Sequence, residues 1–124
     1  MSRIVHFEIH ATDPAALSAF YAKAFDWKFR HIPALDYYLF EGDGGIGGGM
    51  PRRMGPKAPD GAPVNAYVCS IGVGSVDESL QRALDAGATV ALPKRAIPSV
   101  GWQVYIKDPD GNILGIHQPD AAAK

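Results

Sequence analysis

One order of hydrophobic patterns occurs twice along this chain, and it constrains the fold more than any single motif. Residues 5–9 alternate: Val5, Phe7 and Ile9 point one way, His6, Glu8 and His10 the other, with the period of a strand. Asp13-Pro14 then places an N-cap before a proline at the first helical position. Leu17, Phe20, Tyr21 and Ala24 follow at helical spacing as the predicted buried stripe. Residues 27–32 and 37–41 read as strands, and a thin strand around Ile46 is expected within 42–49. After a Pro/Gly-rich stretch, 50–63, read as a linker, the order returns. Residues 66–73 are a predicted strand. Ser75 caps a helix with Glu78 three positions on. Val76, Leu80, Ala83 and Leu84 form its stripe, and Gly87 stops it. Strands are predicted over 89–92, 102–107 and 113–117, with a loop between 92 and 102 and the tight turn Asp108-Pro109-Asp110-Gly111-Asn112. The two helices start about 62 residues apart, a true internal repeat. The predicted class is α+β, two βαβββ modules spanning roughly 3–50 and 64–119. One helix covers only one face of its sheet, so the other face must meet its counterpart, a second chain or a ligand.

A length of 124 residues suits one domain, 1–124. The formal net charge is -1 and the one basic cluster, Arg52, Arg53 and Lys57, is short, so no nucleic-acid partner is expected. No apolar run approaches the ~20 residues of a membrane span. Cys69 is the only cysteine, which rules out an intrachain disulfide and suits a reducing compartment. No secretion signal is read at the start, so a cytoplasmic protein is expected. Residues 121–124 are expected to fray.

The polar side of the first strand, H-x-E-x-H, raises three possibilities. A half-exposed strand with its polar side in water explains the alternation without any function. A metal site is limited by geometry. Residues i and i+2 on a strand stand ~6.5–7 Å apart, and i and i+4 ~13 Å. Zinc holds N and O ligands at ~2.0–2.2 Å. Two neighbours can therefore share an ion, but His6 and His10 cannot. A carboxylate between two imidazoles also suits proton transfer.

The segments V-H-F-E-I-H-A-T-D-P-A-A-L-S-A-F-Y (residues 5–21), A-L-D-A-G-A-T-V (83–90) and Y-I-K-D-P-D-G-N-I-L-G-I (105–116) resemble the vicinal oxygen chelate superfamily. That superfamily includes glyoxalase I, bleomycin-resistance proteins and extradiol dioxygenases. The resemblance covers nearly the whole chain. It implies a cup-shaped half-barrel of two modules and, at this size, a homodimer. Metal-binding members take ligands from the first and last strands of each module. His6 stands at the first such position, but Val68, Gly48 and Gly115 stand at the others. His6 and Glu8 with His117 remain a conceivable three-ligand set.

The resemblance turns the polar stripe toward the cup. Glu8, His10 and His6 become candidate catalytic residues, with Glu8 as base or orienting partner. Trp102, Tyr105, Tyr38 and His117 become candidate substrate-binding residues, with Tyr37 a further aromatic wall. Trp102 follows a possible rim loop, 97–101, and Lys94 and Arg95 before it are read first as solvated charges, with contact to an anion the alternative. The expected ligand is a small organic molecule, bound without a tightly held metal or other cofactor. The alternative is a metal-dependent lyase, isomerase or dioxygenase using His6, Glu8 and His117. The G-x-G-x-x-G match at 42–47 lacks the following helix that phosphate binding requires. Cys69 has no activating base nearby in sequence and is read as inert.

Overall fold

The computed structural model describes residues 2–63 and 67–124. The chain divides into two compact units, His6–Val68, and Met1–Val5 with Cys69–Lys124. The predicted start of the fifth strand at Ala66 lies outside the described residues.

The His6–Val68 unit holds the His6–Glu8 end of β1 (Arg3–Glu8), with α1 (Pro14–Phe25), β2 (Phe29–Ile32), β3 (Tyr37–Phe40) and β4 (Gly47–Pro51). Its strand order is β2-β3-β4-β1. β1 runs parallel to β4, and the other pairs are antiparallel. The Asp13 side chain accepts from Ala16 N at 3.1 Å, so the cap read from sequence is formed. α1 packs on the face bearing Phe7 and Ile9. There Ile9, Ala11 and Met50 are buried beneath Phe7, Leu17, Tyr21, Trp27, Phe29 and Tyr38.

Two expectations need correction here. Phe20 is 54% exposed, because Leu17 and Tyr21, one turn apart, already cover the sheet; it packs instead edge-on against Tyr21. The linker also starts later than composition implied. Met50 is fully buried, and backbone bonds from Ala11 N to Pro51 O and from Arg53 N to Ala11 O carry the pairing through Arg53. The fourth strand accordingly lies at 47–51, and Ile46 is outside it and half exposed.

The other unit contains β5 (Val68–Gly72), α2 (Val76–Asp85), β6 (Thr89–Ile97), β7 (Gly101–Lys107) and β8 (Ile113–Pro119), ordered β5-β8-β7-β6. Ser75 Oγ accepts from Glu78 N at 3.2 Å, and Gln118 Oε1 accepts from Val76 N at 2.9 Å. Two side chains thus satisfy donors at the start of α2 that no helical carbonyl can reach. Val76, Val104, Ile106 and Ile116 form the buried core, with Leu80 and Ala83 packed on it.

The predicted loop between 92 and 102 is mostly strand. Pro93 lacks an N–H, and register shifts between Val90 and Arg95 absorb it while β6 continues to Ile97. The reversal itself is tight: Val100 N donates to Ile97 O, and Ser99 has φ 65°. The tail does not fray. Ala123 is buried, its carbonyl accepts from Ser99 N at 3.0 Å, and Asp120 accepts from Trp102 Nε1 at 3.0 Å. At the 108–112 turn the Asp108 carboxylate accepts from the Asn112 side chain and from backbone N–H groups. Those bonds, the Asn112 side chain first, hold its carboxyl below the usual value. Among the described residues no helix is long and apolar enough to cross a membrane.

Candidate functional site

Strand register decides which side chains share a face. In the His6–Val68 unit, His6 lies opposite Gly47 and Glu8 opposite Gly49. Leu39 also lies opposite Gly49, and Tyr37 opposite Pro51. His6, Glu8, Gly49 and Tyr37 therefore share the face that α1 does not cover. Gly48 lies on the α1 face beneath Phe7, so Gly49 rather than Gly48 is the glycine beside Glu8.

The Tyr37 ring lies where a side chain at position 49 would stand. A Cβ there would overlap its Cε1, Cζ and hydroxyl. From that place the hydroxyl reaches both polar residues of β1. It is 2.7 Å from His6 Nε2 and donates to Glu8 Oε2 at 3.3 Å. With the phenolic proton on Glu8, His6 must present Nε2–H to the phenolic oxygen. The other carboxylate oxygen, Glu8 Oε1, faces His10 Nε2 at 3.8 Å. His10 Nε2 is shielded from solvent and has no hydrogen-bond partner among the described residues; a protonated His10 would pair with Glu8. The Glu8 side chain is only 12% exposed. The structure thus brings the three predicted catalytic residues together and adds a fourth, Tyr37, in a hydrogen-bonding role. Its sequence signal was the glycine run at 47–49, which leaves room that a neighbour must fill.

Tyr38 alternates to the other face. It packs against the Ile9, Ala11 and Met50 core and stacks on His31 with centroids 4.5 Å apart. It belongs to the core, and the tyrosine beside the polar stripe is Tyr37.

The second unit carries its own polar set. Gln103 lies opposite His117, Tyr105 opposite Gly115, and Ser70 opposite Gly115. All of them lie on the face that α2 leaves uncovered. Gln103 Nε2 donates to Ser70 Oγ at 2.9 Å, and Gln103 Oε1 stands 2.9 Å from His117 Nδ1. Ser70 and Gln103 are both buried. Burial lowers the His117 pKa from its ordinary value. Tyr105 is buried on this same face. Trp102 lies on the α2 face instead, against the Val104–Ile106 core. Its Nε1 is tied to Asp120, and Lys94 Nζ sits 4.8 Å above its ring. Lys94 is itself paired with Asp77 at 2.9 Å. The pocket role expected for Trp102 therefore gives way to packing around α2, where Lys94 is held in its ion pair.

The register reveals a correspondence between the modules that sequence spacing only suggested. Glu8, Gly49 and Tyr37 occupy the ladder positions of Ser70, Gly115 and Gln103. In each module a side chain from the next strand fills the space over a glycine, since a Cβ at 115 would overlap Ser70 Oγ and Gln103 Nε2. In each, that side chain also bonds to the first-strand residue across the glycine. The same ladder logic sets the fit for a divalent metal. A protein metal site usually needs at least three protein ligands. Beside His6 and Glu8 the last strand offers only Gly47 and Gly49. Among the described residues no group of three or more His, Cys, Asp or Glu could hold an ion. By itself this unit offers two such donors, His6 and Glu8, fewer than a three-ligand centre needs, and the Tyr37 ring lies beside them.

Comparison with known proteins agrees with this architecture. The glyoxalase-like domain family matches residues 6–116. The Mycobacterium tuberculosis protein named "Putative glyoxylase CFP32" is 28% identical over 116 residues, covering 90% of this chain and 43% of that protein. The chain therefore spans less than half the length of this curated relative. Among solved structures, methylmalonyl-CoA epimerase from Mycobacterium tuberculosis has a TM-score of 0.67 at 14% identity, over 94% of this chain and 87% of that one. A glyoxalase/bleomycin resistance protein/dioxygenase superfamily member from Vibrio splendidus has a TM-score of 0.63 at 17% identity, over 97% and 100%. At these identities the likeness shows the fold.

Proposed function

We propose that this chain, which belongs to the glyoxalase-like domain family of the vicinal oxygen chelate superfamily, binds a small organic molecule and moves a proton on it at Glu8. The observation that carries the reading is the Tyr37 hydroxyl between His6 Nε2 and Glu8 Oε2. A strand that merely turned its polar side to water would not need a buried glycine and a tyrosine ring to organise that side.

The chemistry follows from the geometry. Tyr37 O–H occupies Glu8 Oε2 and fixes the carboxylate plane. Glu8 Oε1, facing His10 Nε2 at 3.8 Å, takes the proton from a bound molecule, and His10 stabilises the charge or passes the proton on. His6 acts through Tyr37 by keeping the phenolic proton directed at Glu8. The substrate class is an organic molecule with an acidic C–H or O–H. Family resemblance adds that the working form is a homodimer, which sedimentation of the purified chain would test.

The direct test combines ligand screening and substitution. Thermal stability of the untagged protein is measured against a panel of small carbonyl and carboxylic compounds. A binder that raises the melting temperature is then tested with Glu8→Gln. The expected result is weakened binding or lost turnover in a folded variant. Unchanged binding and turnover would remove Glu8 from its role. Metal analysis of the same preparation bears on the alternative: stoichiometric zinc, nickel, manganese or iron, lost on His6→Ala, would replace this reading with metal-dependent chemistry.

A further inference from the structure

The second polar set is not used by the chemistry assigned to Glu8, and its construction is specific. Ser70 and Gln103 are each 4% exposed. Burying an amide and a hydroxyl is unfavourable unless they bond to each other or to something useful. Here they form a chain in one direction: Ser70 Oγ accepts from Gln103 Nε2, and Gln103 Oε1 faces His117 Nδ1. An amide oxygen only accepts, so with Gln103 in this orientation His117 carries its proton on Nδ1. Its Nε2 then holds a lone pair. His117 as a whole is only part-buried, which leaves the ring within reach of a ligand. Gly115 completes the device, because any side chain there would displace the Gln103 amide.

We infer that His117 is a ligand-binding residue whose Nε2, held as a hydrogen-bond acceptor by the buried Ser70–Gln103 pair, takes the hydroxyl or N–H of a small protic molecule. Gln103 is a positioning residue, acting through His117. This inference stands apart from the proton chemistry proposed for Glu8. A histidine present only for packing would have no need of a defined tautomer, and the buried amide gives it one. The arrangement also matches how proteins orient imidazoles toward their ligands, by bonding the far ring nitrogen to an oxygen acceptor.

The test is nitrogen-15 NMR of the histidine rings in the full chain at neutral pH, with phenol as the probe. The wild type should show His117 with Nδ1 protonated and Nε2 unprotonated, and phenol should shift the Nε2 resonance. Gln103→Leu should lose the tautomer preference and bind phenol about fivefold more weakly, the scale of one modest hydrogen bond. Gln103→Glu keeps an acceptor facing Nδ1 and should retain both properties when read at a pH above its own imidazole titration, which the added carboxylate raises. If the leucine variant does not fold, the wild type and Gln103→Glu decide the matter. The opposite tautomer in the wild type, no response of His117 to phenol, or loss of the tautomer in Gln103→Glu would overturn the inference.

Discussion

Substituting Gly49 by alanine tests the central claim, that a missing side chain is what lets Tyr37 organise the polar stripe. A Cβ at 49 would overlap the Tyr37 ring and hydroxyl, so the ring must leave and give up its bonds to His6 and Glu8. A hydrogen bond nets about 0.5–1.5 kcal/mol, and one to a charged group about 1.5–3. Both contacts are only part-buried, so the lower ends apply and together they are worth about 2 kcal/mol. Alanine in a strand interior returns about 0.5–1 kcal/mol relative to glycine. Gly49→Ala should therefore cost about 1–1.5 kcal/mol net. The decisive comparison is with Tyr37→Ala. Once the ring is gone, alanine at 49 has nothing to displace, and the double variant should be at least as stable as Tyr37→Ala alone. The coupling energy is then about 2 kcal/mol. Urea unfolding followed by circular dichroism reads it, since 2 kcal/mol moves the midpoint by about 1 M at a typical slope. Additive costs in the double variant would refute the reasoning.

Tyr37→Phe keeps the ring over Gly49 and removes only the hydroxyl, so it should cost about 1–2 kcal/mol in urea unfolding, less than Tyr37→Ala. Because burial lowers the folded pKa of His117 below 6.5, the unfolded state takes up a proton first as pH falls. Stability from this group is thus present above 6.5 and lost as pH drops through the folded value. His117→Gln should lose less stability than the wild type across that acid range, measured as urea midpoint against pH. Ser75→Ala removes the oxygen that accepts from Glu78 N and should cost about 1 kcal/mol. A melting temperature within experimental error of the wild type would show that Gln118 caps α2 unaided.

Much of the scaffold was legible because it is local. Asp13 and Ser75 cap helices where their side chains reach N–H groups three residues on, an interaction written within four letters of sequence. The alternation of Val5, Phe7 and Ile9 against His6, Glu8 and His10 set the faces of β1 before any partner strand was known. The strand at 93–97 was missed because Pro93 reads as a breaker, and only pairing with β7, through a bulge, shows how it is tolerated. The docked tail was missed for a similar reason: Ala123 meets Ser99 by tertiary contact, with no local pattern to announce it.

The sequence by itself determined two βαβββ modules, their helix caps and a polar stripe with Glu8 at its centre. Tertiary structure alone decided what surrounds that stripe. Adjacent tyrosines point to opposite faces, so only the register of β3 against β4 could assign Tyr37 to Glu8 and Tyr38 to the core. Likewise, β7 register sent Trp102 under α2 and left Gln103 and Tyr105 on the open face. A glycine in a sequence shows only that a side chain is missing. What fills the space depends on which strand lies beside it, and in this chain Tyr37 fills it at Gly49 and Gln103 with Ser70 at Gly115.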